Sequence, residues 1–181
     1  MRKSKKILLV TGIGIIILFT ILIFIFSKKD AIKLFPRFHD YTMVFGDDLV
    51  RPVAINFNSN PEINKYKKDL DNIRIPDTNF AYSYRLFTMG CGTECHEVVV
   101  IDSSNGNIYF TKIISRVGID FNSRSNLLVV NPPKDIYEVY GNNPKKWPRD
   151  DWGNDLKTYF YVWENNQFTL IQASKINYDM Y

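Results

Sequence analysis

The spacing of apolar and polar positions separates one unbroken apolar run from a long succession of strand-like patterns. From Ile7 to Phe26, twenty residues carry no charge, and only Thr11 and Thr20 interrupt them. As a helix this run measures about 30 Å, the thickness of a bilayer's hydrocarbon core. Gly12 and Gly14 weaken a soluble helix but are common in membrane spans. Further on, "RPVAINF" (51–57) predicts a strand with Val53, Ile55 and Phe57 on one face. In "NSNPEINKYKKDLDNI", Asn60 is a good N-cap, Pro61 suits the first helical position, and Glu62 complements the positive helix start. Ile63, Tyr66, Leu70 and Ile73 recur at helical spacing, so this helix lays one stripe on a sheet. Lys65, Lys67, Lys68, Asp69 and Asp71 fall mostly on its wet side, as solvated charge runs do.

From Asn79 onward the period shortens to two. "FAYSYRLFTM" alternates, with Phe80, Tyr82, Tyr84 and Leu86 sharing a face. "EVVVI" (97–101) is apolar on both faces and β-branched, as a central, doubly covered strand requires. "DSSNG" supplies a turn, with Asn105 and Gly106 suited to positive φ, and "NIYFTKII" returns as its partner. "NLLVV" is another strand, stopped by Pro132 and Pro133. The closing "TYFYVWENNQFTLIQA" reads as a hairpin about Asn165 and Asn166. One helix and about six mostly antiparallel strands give an α+β domain. Between Asn131 and Lys157 no period is sustained, and four prolines with Trp147 and Trp152 mark a long loop. These tryptophans have two readings: anchors of a binding loop, or aromatics folding back to seal the core.

The first run reads as an uncleaved anchor rather than a cleaved signal. It is longer than a signal's apolar region, ends in Phe24, Ile25 and Phe26, and lacks a small-residue cleavage site. Arg2, Lys3, Lys5 and Lys6 precede it, and Lys28, Lys29 and Lys33 follow, a bias that places the N-terminus in the cytoplasm. The expected organisation is a cytoplasmic basic tip (1–6), a transmembrane helix (7–26), a tether (27–48) and an extracytoplasmic β-rich domain (49–181). Within the tether, "YTMVF" (41–45) has the composition of an edge strand. The chain carries 23 Lys and Arg against 19 Asp and Glu. Four of those bases precede Ser27 and all the acids follow it, so the exported part is neutral. That argues against a nucleic-acid binder. The partner the sequence does imply is the membrane, through the anchor.

Location decides how the two cysteines are read. Outside the cytoplasm, Cys91 and Cys95 with no third cysteine point to a disulfide with each other, and Gly90 and Gly92 permit the sharp turn it needs. A redox-active dithiol prefers C-x-x-C at a helix start, whereas this spacing is one longer and a strand follows. Zinc wants four ligands, and Cys91, Cys95 and His96 offer three, with Glu94 or distant His39 needed as the fourth. "CGTECH" is one residue too long for covalent haem attachment. A cysteine nucleophile with His96 as base meets the opposite-face rule for successive strand residues. Glu94 and Glu97 form a possible carboxylate pair, though acids at a turn are usually solvated. No Ser-His-Asp set or phosphate-binding glycine loop is visible. No catalytic residue, metal site or cofactor is assigned.

The stretch from Ile75 to Phe110 resembles a group of small exported bacterial proteins of unknown function. Their shared pattern runs N-F-A-G-x-Y, then G-C-G-T-x-C, then a strand with V-D and a T-G-x-V-Y turn. Asn79, Phe80, Ala81, Tyr84, Gly90, Cys91, Gly92, Thr93, Cys95, Ile101, Asp102, Gly106 and Tyr109 match it. The helix "PEINKYKKDLDNI" and the closing "YFYVWENNQFTLI" extend the likeness from about Pro61 to Ile171. Tyr82 and Ser83 stand where the pattern has Gly-His, and His96 where it has Gln. Those departures weaken any catalytic, haem or zinc reading that needs a histidine. The resemblance implies export and a β-rich fold, not an activity. The expected role is a non-enzymatic binding or envelope-interaction module. The rival is a redox, metal- or haem-carrying protein or enzyme centred on Cys91, Cys95 and His96.

Overall fold

Among the described residues, seven strands pair into two antiparallel meanders. The computed structural model describes residues 35–44, 50–72, 77–143, 145, 147–149 and 156–175. One sheet runs β1 (Tyr84–Gly92), β2 (Cys95–Asp102), β3 (Ile108–Ser115), in that order. The other runs β4 (Ile119–Phe121), β5 (Leu127–Val130), β6 (Lys157–Glu164), β7 (Gln167–Lys175). The single sheet of about six strands is thereby corrected to two sheets, three strands and four. The α+β class stands. The expected anchor over 7–26, the tip 1–6 and the tether up to residue 34 lie outside the described residues. Among the described residues, no helix is long and apolar enough to cross a membrane.

Strand β2 is the centre of the first sheet and is covered on both faces, as its continuous apolar run requires. Val98, Val99, Val100 and Ile101 have no exposed surface. Each such burial stabilises by about 1.5–3 kcal/mol relative to exposure. Val98 and Val100 join Leu86, Ile113, Leu128, Val130 and Trp163 in the core between the sheets. Tyr84 and Tyr109 meet the Trp163 ring edge-on, with centroids 5.4 and 5.6 Å away. Val99 and Ile101 point the other way, into a second core with Met89, Ile108, Ile63 and Leu70. Ile63 and Leu70 come from the expected helix, which opens as a 3₁₀ segment (Pro61–Tyr66) and continues as α1 (Lys67–Asn72). Residues three apart align in a 3₁₀ turn and four apart in an α turn. Ile63, Tyr66 and Leu70 therefore share the sheet-facing side, and Tyr66 stacks on Phe110 at 5.8 Å. The Asn60 side chain accepts the Glu62 N–H at 3.0 Å, as its capping role predicts. Ile73 lies outside the described residues.

Three local expectations are overturned. Residues 51–56 form no strand, and Phe57 opens a 3₁₀ turn (Phe57–Ser59). Pro52 has no N–H, and the segment instead lies along the β2–β3 turn, with Val53 N–H bonded to the Ser103 carbonyl and Asn56 N–H to that of Gly106. A Cβ on Gly106 would collide with the Ala54 carbonyl, so this approach requires glycine. Second, the strand expected from Phe80 begins only at Tyr84. Ala81 and Tyr82 turn with φ of 44° and 59°, although Phe80, Tyr84 and Leu86 do reach the same core. Third, the long loop after Asn131 contains a helix, α2 (Pro133–Tyr140), besides the expected one. Pro133 sits at its start, where a missing N–H is harmless. Strand β4 is short, which hides its period. The expected β6–β7 hairpin forms about Asn165 and Asn166, both at positive φ. Within the expected tether, Thr42 makes one bridge to Ser125 rather than an edge strand, and the stretch from Pro36 belongs to the same unit as the sheets.

Candidate functional site at the disulfide-closed hairpin

The first hairpin ends in a two-residue turn, Thr93–Glu94, with Gly92 opposite Cys95. Glu94 adopts φ 51° and the pairing slips between Gly90 and Gly92, so the strands reach the turn with added twist. Cys91 and Cys95 are joined by a disulfide across this slip, with Cα atoms 5.0 Å apart. Residues 90–94 are exposed. The bridge is therefore a clip at the outer end of a hairpin whose inner end is the core strand β2. Closing so small a loop stabilises by about 2 kcal/mol, comparable with burying a single valine. Its local effect is larger, because it fixes the exposed tip.

Glu94 leans across to the β3–β4 connection, where its carboxylate lies 3.6 Å from the Arg116 guanidinium. Arg116 is held by its backbone: its N–H donates to the Asn131 side-chain oxygen at 2.8 Å. Asn131 is a buried hub at φ 53°. Its side-chain nitrogen reaches the Lys157 carbonyl at 3.4 Å, and its own carbonyl accepts the Thr158 hydroxyl at 2.8 Å. The ends of β3, β5 and β6 are thus tied at one residue. Near Glu94 also stands Tyr140, from the last turn of α2. Its buried hydroxyl faces the Glu94 carboxylate without the geometry of a formed hydrogen bond. Burial first, then the Glu94 carboxylate, raises this phenol above its ordinary value, while Arg116 pulls it down.

Tyr140 packs on a satellite cluster formed by Ile136, Trp147 and Leu156, with Val117 and Tyr137 at its edge. Trp147 is buried; its Nε1 donates to the Gly141 carbonyl at 2.9 Å and its ring meets Tyr137 edge-on at 5.5 Å. It holds the position of a sealing aromatic, with its polar edge satisfied. Trp152 lies outside the described residues. The disulfide turn and the Trp147 segment, separate in sequence, therefore meet at Glu94, Arg116 and Tyr140.

His96 follows Cys95 on β2, opposite Gly90 and Ser115. Both of its ring nitrogens are buried without a hydrogen-bond partner. His39 is far along the chain in the 3₁₀ turn Phe38–Tyr41, paired with Asp40 at 2.7 Å. With both sulfurs bonded to each other, neither is a thiolate ligand. Among the described residues, no group of three His, Cys, Asp or Glu side chains stands close enough to hold a metal ion. Sequence reasoning missed Arg116, Asn131 and Tyr140. The one available signal was Asn131 itself, an asparagine directly after a strand, where left-handed backbone is common.

Comparison with family models, with curated proteins and with solved structures finds no match to this chain.

Proposed function

We propose that the chain is a single-pass, membrane-anchored protein whose extracytoplasmic domain is a non-enzymatic binding module of the bacterial envelope. Its contact surface is the tip of the β1–β2 hairpin, residues 90–94, backed by Arg116 and Tyr140. The observation that carries this reading is the convergence of an exposed, covalently fixed turn with the Trp147 segment. A turn locked before contact loses little conformational freedom on binding, which favours recognition without chemistry. Trp147 shapes this face from beneath rather than anchoring a partner directly. The apolar span at 7–26 and the basic tip before it support the anchored, N-terminus-inside arrangement.

A photo-crosslinking residue placed at Thr93 in intact cells tests the surface, with the same probe at Ser104, in the β2–β3 turn, as control. A discrete envelope adduct at Thr93 and none at Ser104 is expected. Identical patterns at both positions would remove the hairpin tip as the contact. A reporter fused after Tyr181 tests the topology separately. The rival redox reading draws on one observation, the exposure of the disulfide. It requires a fraction of free thiols at Cys91 and Cys95 in cells, measurable by rapid alkylation and intact mass.

A further inference from the structure

We propose that a groove between the 3₁₀ turn Phe38–Tyr41 and the β4–β5 connection binds a phosphate ester. The cavity measures about 610 Å³ and is lined by Arg37, Phe38, His39, Thr42, Asn122 and Arg124. Its two walls come from segments 80 or more residues apart but are tied together. Thr42 bridges Ser125, the Met43 N–H donates to the Arg124 carbonyl at 3.1 Å, and the Asn126 N–H donates to that of Tyr41 at 3.2 Å. Arg37 and Arg124 are therefore presented from opposite walls of a fixed groove.

Among the described residues, neither guanidinium has a carboxylate within ion-pair distance. The adjacent Asp40 is occupied by His39 at 2.7 Å and by the Arg37 backbone N–H at 3.4 Å. Asn122 spends its side-chain oxygen on the Arg124 N–H at 2.8 Å, which leaves its amide nitrogen as a donor, while the Thr42 hydroxyl donates to the Phe38 carbonyl at 3.3 Å. The donors of the lining are thus two planar cationic forks and the Asn122 amide, with Phe38 as an apolar wall. A tetrahedral phosphate carries more charge and more acceptor oxygens than a carboxylate, which favours it where two cationic forks and an amide line one groove. The volume exceeds a bare phosphate and leaves room for the group esterified to it.

Such an ester has two sources, an anionic lipid headgroup or a soluble or polymeric glycerol phosphate. Arg37 lies eleven residues beyond Phe26, a reach of at most about 40 Å, so a headgroup is accessible if the span at 7–26 is the anchor. The lipid source rests on that reading; the phosphate chemistry does not.

The test uses the full chain in neutral detergent, titrated by phosphorus NMR with inorganic phosphate, with glycerol phosphate, and with micelles doped with phosphatidylglycerol. Saturable binding of at least one probe is expected, weakened about tenfold by Arg37→Gln or Arg124→Gln. Lys134→Gln, which removes the same charge from α2, should leave it unchanged. Binding of the soluble esters identifies a free or polymeric source, and binding of the doped micelle alone identifies a headgroup. No saturable binding of any probe overturns the proposal. So does undiminished binding by the double arginine variant, or an equal loss in Lys134→Gln.

Discussion

Asn131 offers the most direct test of how the site is built. Replacing it with alanine removes the oxygen that accepts the Arg116 N–H at 2.8 Å and lies 3.4 Å from the Val117 N–H. The same oxygen lies 3.1 Å from the Ser115 hydroxyl, and the lost amide nitrogen reached the Lys157 carbonyl. Leaving the Arg116 N–H without an acceptor costs about 1–3 kcal/mol, and the longer contacts add about 1 kcal/mol more. The φ of 53° adds a separate penalty of about 1 kcal/mol for a residue with a Cβ and no local hydrogen bond. Asn131→Ala should therefore lose about 4 kcal/mol, a large share of a typical domain's 5–15 kcal/mol. Asn131→Gly loses the same hydrogen bonds but not the backbone strain, and should be less destabilised than alanine by about 1 kcal/mol. Urea unfolding in a constant neutral detergent, followed by the fluorescence of buried Trp147 and Trp163, reads both. With a slope near 2 kcal/mol per molar, the alanine midpoint falls by about 2 M. An alanine variant within about 0.5 kcal/mol of the parent would refute the hub. A glycine variant less stable than alanine would refute the backbone part.

Other consequences follow from the same geometry. Cys91→Ser should lower stability by about 2 kcal/mol with an unchanged denaturant slope, and alkylation before reduction should add no mass to the parent chain; a labelled parent would refute the bridge. Trp147→Ala should lose about 3–5 kcal/mol, seen as a large fall in melting temperature, because it empties the Ile136–Leu156 cluster and frees the Gly141 carbonyl. An unchanged melting temperature would return Trp147 to the role of a surface anchor. Burial raises the phenols of Tyr109, Tyr140 and Tyr161 in the fold. The unfolded chain releases those protons first, so stability should fall as pH rises beyond about 10; constant stability from about pH 9 to 11 would contradict this. Glu94→Gln should shift the Tyr140 titration downward in an absorbance titration. Its effect on stability should stay below about 1 kcal/mol, because the Arg116 pair is partly exposed.

The patterns that a short window contains were legible without a structure. The run at 97–101 declared a strand covered on both sides, because four successive β-branched side chains cannot all face water. The Asn60–Pro61–Glu62 start declared a helix, and the paired asparagines at 165–166 a hairpin, since each local preference needs only its neighbours. Two cysteines four apart between strands gave the disulfide. Tyr82 is instructive in another way: its side chain is carried on backbone that turns at φ 59°, the region glycine occupies most readily.

Local patterning could not decide how many sheets those strands make, or that 51–56 would follow a turn instead of pairing. Both depend on which backbone donors find partners far along the chain. Nor could it bring Glu94, Arg116 and Tyr140 together, because their meeting depends on how a strand connection and a helix end pack around buried Asn131. Side-chain preference within a few residues is written in the sequence itself. Proximity across tens of residues exists only once the cores between the layers have closed.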